Sequence, residues 1–229
     1  MFGVFYHSQD VVSTFLVGLA LMSFSAAIIC FLSLSWCREP WRIPSALVGT
    51  ACLATTFYYV GASSLWLLSE VASAGARFSA WYSVHILQVA AVYFYVVSQN
   101  KVSVGVFWRI IGASFLMTFG RWLGDASFFN ATLGALISIG FWLYILGEMY
   151  FGEMSQVIKK SDRVVRVGYF WLRLIYTIGW AVYPILHFVD VVIGVGQSDG
   201  IIALYTVFDI LNLIIPAMIV VGVAGQDRY

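Results

Sequence analysis

Residues 201–223 read IIALYTVFDILNLIIPAMIVVGV and carry a single formal charge, Asp209. A helix needs roughly 20 predominantly apolar residues to cross the hydrocarbon of a bilayer, and this stretch is long enough. Six apolar segments of similar length precede it, at about 10–36, 44–69, 76–98, 105–123, 130–152 and 166–190. The breaks between them carry turn or charge signals: Arg38-Glu39-Pro40, Glu70 to Gly75, Gln99-Asn100-Lys101, Gly124-Asp125, Lys159 to Arg163 and Gln197 to Gly200. Repeated short alternating strands, the mark of a transmembrane barrel, are absent from the pattern. The expected fold is an all-α membrane protein, a seven-transmembrane-helix bundle forming one domain over residues 1–229.

Composition agrees. Of 229 residues, 62% are hydrophobic and 10% charged, with a mean hydropathy of +0.91. A soluble domain carries about 25% charged residues, so the 12 Lys+Arg and 11 Asp+Glu are too few to cover this chain in water. Soluble enzyme, disordered chain and nucleic-acid binder are excluded, and a net charge of +1 gives no long-range basic field. Cys30, Cys37 and Cys52 lie in or beside apolar stretches without metal spacing, so they read as buried small hydrophobes. No nucleophile–base set or metal cluster suggests an enzyme. Residues 1–10 show no basic region ahead of the apolar run, so no cleaved signal peptide is expected.

Lys and Arg set the expected orientation. Arg38, Arg42, Lys101, Arg109, Lys159, Lys160, Arg163, Arg166 and Arg228 fall in or beside the 1–2, 3–4 and 5–6 connections and the tail. Arg77 and Arg121 fall near helix ends on the opposite side. The N-terminus is expected outside and the C-terminus in the cytoplasm, with the charged loop around 153–166 a solvated face at the headgroups.

Polar groups inside the membrane are few. Arg77, Trp81, His85 and Gln88 follow one another along the third helix, and Asp209 and Asn212 lie midway through the seventh. On the sixth, Tyr176, Trp180, Tyr183, His187 and Asp190 recur at spacings of four and three, an inward aromatic and polar stripe. That stripe fits core packing with tyrosine hydroxyls satisfied across helices as well as it fits a site.

These residues carry a resemblance. Trp180-Ala-Val-Tyr183-Pro184 resembles the sixth-helix signature of microbial rhodopsins, and Arg77-Phe-Ser-Ala80-Trp81 their third-helix motif, where an Asp normally precedes the Trp. Phe208-Asp209-Ile-Leu-Asn212 resembles the seventh-helix stretch of proteorhodopsins. Met117, Gly124-Asp125-Ala126, the run Trp142 to Glu148 and Gly152-Glu153 resemble their fourth and fifth helices. The likeness spans all seven helices and is weakest in the first two.

The resemblance implies a lysine after Asn212, binding retinal as a Schiff base; the residue there is Leu213. The chain has three lysines, Lys101, Lys159 and Lys160, all in connections, and a Schiff base needs an amine. The family's proton acceptor aligns with Ala80, the Thr below it with Val84, and the donor with Ala91; the histidine supporting the acceptor falls near Tyr59. Phe141, beside Trp142, stands where the family has a smaller residue, so its ring is expected in the chromophore space. Pro216 leaves the carbonyl of Asn212 without its helical donor, either reshaping helix seven or forming a tolerated kink.

From these departures the expected function is a non-photoactive homologue with no cofactor, binding no retinal covalently and pumping no protons. The nearest resemblance is to the proteorhodopsin-related group encoded beside flotillins, which implies a scaffold or regulatory role in a flotillin-type microdomain. It also implies a multi-pass protein of a bacterial-type inner membrane, a homo-oligomer (a pentameric ring) in the lipid bilayer, and a flotillin-family partner. The alternative is a sensor holding a non-covalent apolar ligand (carotenoid, free retinal or lipid) among Trp81, Trp142, Trp180 and Tyr183. A third reading is a transporter using His85, Gln88, His187 and Asp209 as a polar path.

Overall fold

The computed structural model describes residues 11–69, 74–126, 128–188 and 199–227; of residues 11–12, 65–69, 74–80, 125, 187–188 and 199–203 it describes the backbone alone. Seven long helices form the bundle: α1 (Val11–Ser33), α2 (Glu39–Ser69), α3 (Ala74–Val97), α4 (Val104–Asp125), α5 (Ala131–Tyr150), α7 (Arg163–Phe188) and α8 (Asp199–Gln226). Between α5 and α7 lie a short helix, α6 (Glu153–Val157), and a 3₁₀ turn over Ile158–Lys160. Neighbours in sequence pack side by side, and α8 closes the ring against α1, α2 and α7 while α3 touches α2, α4 and α7. The chain is an integral membrane protein. Long apolar windows remain in its helices, at mean hydropathy 2.5 in Ser13–Ser33 and 2.3 in Leu204–Gln226, and Leu21, Phe57, Trp108, Leu136, Ile178 and Ile185 face outward to lipid.

Local chemistry sets the helix ends. α2 begins at Glu39, ahead of residue 44, because Pro40 falls in a first turn where no intrahelical donor is required. Asn130 caps α5 by accepting from Thr132 N at 2.8 Å. Glu153 reaches across to the start of α4, accepting from Ser103 N at 2.8 Å and Ser103 Oγ at 2.7 Å.

The 153–166 connection differs from the expected solvated face. Met154 and Ile158 are buried and pin it to the bundle, while Asn100 Nδ2 donates to Ser161 Oγ at 2.6 Å and Gln99 Oε1 accepts from Asp162 N at 3.1 Å. At the same end, Asp227 accepts from Trp41 Nε1 at 2.6 Å and from Gln99 Nε2 at 3.0 Å. Cys30, Cys37 and Cys52 are buried and form no disulfide among the described residues.

The α4–α5 wall is tight because it is built on glycine. A Cβ on Gly134 would lie 2.8 Å from Gly120 O and 2.9 Å from Gly124 Cα. Small residues at four-residue spacing let two backbones approach in this way.

Candidate functional site

Three polar helix faces meet in the centre of the bundle. On α8, Asp209, Asn212 and Leu213 are buried, Asp209 completely. Its carboxylate accepts from the hydroxyls of Tyr59 on α2 and Tyr183 on α7, the latter at 2.6 Å. Tyr183 Oη in turn accepts from Asn212 Nδ2 at 3.1 Å, so both faces of the expected α7 stripe and α8 pair join one network. The side chains of Arg77, Ala80 and His187, singled out in the sequence, lie outside the described residues.

Gln88 answers what Pro216 leaves open. Proline has no N–H, so the Asn212 carbonyl loses its i+4 donor. Gln88 Nε2 on α3 supplies one at 2.7 Å, and Gln88 is itself 1% exposed. The kink is therefore closed by a bond between α3 and α8. Val84 and Ala91 are buried on the same α3 face, which is apolar apart from Gln88.

Above this network the aromatic rings close on one another. His85 sits against Trp81 (centroids 5.2 Å apart) and against Trp180 (4.8 Å, edge to face), and Trp81 lies 5.9 Å from Tyr183. Trp180 stacks on Tyr176 at 4.8 Å, and Tyr176 O accepts from Trp142 Nε1 at 3.1 Å. His85 thus packs against both tryptophans.

On the other side of those rings a cavity of about 80 Å³ remains, lined by α3, α4, α5 and α7. Trp81, His85, Met117, Trp142, Trp180, Tyr183 and Pro184 line it, and so does Arg121. No α8 residue is among its lining, so Leu213, 2% exposed, is packed into the core instead. Phe141 is half-buried against the core and does not line the cavity; the narrowing expected of its ring comes from His85. Sequence reasoning placed Arg121 at a helix end and gave it no role. It also passed over Arg173, whose guanidinium lies 4.6 Å from the Tyr150 ring centroid and 5.2 Å from that of Tyr169. Among the described residues no group of His, Cys, Asp or Glu is placed to hold a metal ion.

Retinal is the group that the fold implies, and the site fits it in part. Three tryptophans, Met117 and Pro184 form apolar walls suited to a polyene. The covalent link does not fit: residue 213 is leucine, and Lys101, Lys159 and Lys160 are exposed at the ends of helices. The cavity is roughly half the ~150 Å³ of an engineered cavity that takes benzene, so it seats one end of such a molecule unless the His85 and tryptophan rings move.

The family model for bacteriorhodopsin-like proteins matches residues 11–226. A blue-light absorbing proteorhodopsin from Gamma-proteobacterium Hot 75m4 is 22% identical over 208 residues, covering 89% of this chain and 82% of the relative. A green-light absorbing proteorhodopsin from Gamma-proteobacterium EBAC31A08 is 22% identical over 217 residues, covering 94% and 86%. Among solved structures, the blue light-absorbing proteorhodopsin from Med12 superposes with a TM-score of 0.80 at 20% identity, covering 95% of this chain and 100% of that one. Xanthorhodopsin, a light-driven ion pump with dual chromophore, superposes at 0.81 with 16% identity, covering 99% and 95%. At such identities the superpositions show the fold.

Two expectations fall with these findings. A non-photoactive, non-pumping scaffold and the absence of any cofactor were inferred from missing residues, whereas the relatives matched along nearly their whole length are light-absorbing proteins. The step that failed runs from the loss of a covalent anchor to the loss of the chromophore. Leu213 removes the first, and the aromatic cavity for the second is present.

Proposed function

The chain belongs to the bacteriorhodopsin-like family, and from that premise we propose that it is a membrane photoreceptor that seats a retinal-class polyene non-covalently. The observation that carries the reading is the cavity walled by Trp81, Trp142 and Trp180 in a bundle whose position 213 is leucine. Such a group, when bound without an imine, supplies absorption in the near ultraviolet and an isomerisable chain of double bonds. The protein's own residues do the rest. Trp81 and Trp180 face the two sides of the slot, His85 stands between them as a movable wedge, and Met117 and Pro184 close the far wall. His85 lies one turn from Gln88, so its displacement pulls on the bond that holds the Asn212 carbonyl and links α3 to α8. The readout of the site is then a change in helix packing, with Asp209 held throughout by Tyr59 and Tyr183.

Finer points belong to the same reading. The basic residues of the 1–2, 3–4 and 5–6 connections support an outside N-terminus and a cytoplasmic C-terminus. A homo-oligomeric ring and a flotillin-type partner are supported by the resemblance alone. The test of the reading is titration of purified protein with all-trans-retinal, followed by quenching of tryptophan fluorescence. Saturable quenching that Trp142→Ala weakens at least about tenfold, a cost of ~1.4 kcal/mol, supports it; linear, unsaturable quenching identical in the variant overturns it.

A further inference from the structure

We infer that the cavity also takes an apolar carboxylate, anchored from α4 by Arg121. The inference rests on the reading of the cavity as a polyene site and names the end of the ligand that the protein holds. Among the described residues that line the cavity Arg121 is the one formally charged, and Thr118, one turn before it, and Ser138 on α5 also line it. The remaining walls are aromatic and aliphatic. The cavity is therefore amphipathic, with its cationic corner at α4–α5, whereas the leucine at 213 offers nothing to an aldehyde and lies outside the lining.

A guanidinium against a largely apolar cavity is costly unless anions or dipoles surround it. Arg121 keeps contacts of its own within the protein, and its five N–H donors serve a fixed neighbour and an incoming group together. Carboxylate matches the guanidinium fork through two parallel charge-assisted bonds, about twice as strong as neutral ones. It is also a small anion that leaves a long apolar tail free to enter the aromatic slot. Gly120 and Gly124, on the turn of α4 that carries Arg121, pack closely on Gly134 of α5.

Two ligand pairs distinguish a polyene acid from a fatty acid: retinoic acid against retinol, and oleic acid against oleyl alcohol. Each is titrated into the purified full-length protein by tryptophan quenching or by displacement of a bound fluorescent acid. The expected result is that, in at least one pair, the acid binds about tenfold or more tightly than the alcohol. Arg121→Gln brings the ratio of acid to alcohol affinity to about one, and Arg121→Lys keeps part of the preference. Circular dichroism and thermal unfolding matching the native protein show that each variant is folded. Equal affinity for acid and alcohol in the native protein, or a preference that survives in Arg121→Gln, overturns the inference and leaves the cavity reading standing. Absence of saturable binding by all four compounds and by retinal overturns both.

Discussion

Replacing Gln88 by leucine tests whether the break at Pro216 is repaired from another helix. Gln88 Nε2 donates to Asn212 O at 2.7 Å, and both residues are essentially inaccessible. Removing the donor leaves a buried carbonyl unpaired, at about 1–3 kcal/mol in general; interhelical bonds in membranes average ~0.6 and reach ~1.7 kcal/mol. Leucine also removes Gln88 Oε1, a buried oxygen with no partner among the described residues, which offsets part of the loss. The net expectation is ~1 kcal/mol. The discriminating background is Pro216→Ala, whose new N–H closes the helical bond to Asn212 O. There Gln88→Leu costs no more than about 0.3 kcal/mol, and the difference is the coupling energy of the pair. The assay is equilibrium unfolding of the four proteins of the cycle in mixed micelles. Equal costs of Gln88→Leu in both backgrounds would refute the reasoning, since the glutamine would then be stabilising something other than that carbonyl.

Further predictions rest on other contacts. Tyr59→Phe and Tyr183→Phe each remove a donor from the Asp209 carboxylate, so each destabilises by about 1–3 kcal/mol in equilibrium unfolding; unchanged stability in both would contradict the network. Gly134→Ala forces a Cβ to 2.8 Å from Gly120 O, whereas Gly112→Ala meets nothing within 4 Å, so thermal unfolding separates them by about 1–3 kcal/mol. Gln88 Oε1, Asn212 Oδ1 and Trp180 Nε1 are buried without partners among the described residues. A water that donates to both oxygens and accepts from the indole satisfies all three, and an experimental structure that resolves waters will contain it there; a dry site would count against it. Trp41→Phe deletes the 2.6 Å bond to Asp227 and speeds amide exchange in the last turn of α8, an effect absent if the tail is held elsewhere.

Much of this architecture was legible in the amino-acid order. Apolar runs of membrane length declare themselves by composition, and the α7 stripe from Tyr176 to Tyr183 points inward as its spacing requires. Short elements did not: α6 is five residues long, too short for a periodic signal, and it buries Met154 and Ser155. Gln88 was visible as a polar residue on α3, but its role needs the register of α3 against α8, which no single helix carries. Tyr59 was seen as a stand-in for a supporting histidine; only packing of α2 on α8 shows that it serves Asp209. Arg121 was misjudged for a related reason. Its place near the end of α4 bore only on orientation, while the glycine contacts to α5 bring that turn into the wall of the cavity. The functional error had a different origin. Missing residues speak only about the step they perform, and walls of tryptophan persist when an amine is lost.

The central claim is that the family's chromophore is held here without a bond. The most direct measurement is intact-mass spectrometry of protein expressed in cells supplied with all-trans-retinal, taken beside its absorption spectrum before and after mild organic extraction. The account predicts a visible or near-ultraviolet band that co-purifies with the folded protein, a polypeptide mass without a retinal adduct even after borohydride reduction, and complete transfer of the pigment to the solvent. A pigment that resists extraction and adds its mass to the chain, or a folded protein that carries no absorption beyond its aromatic residues, would contradict it.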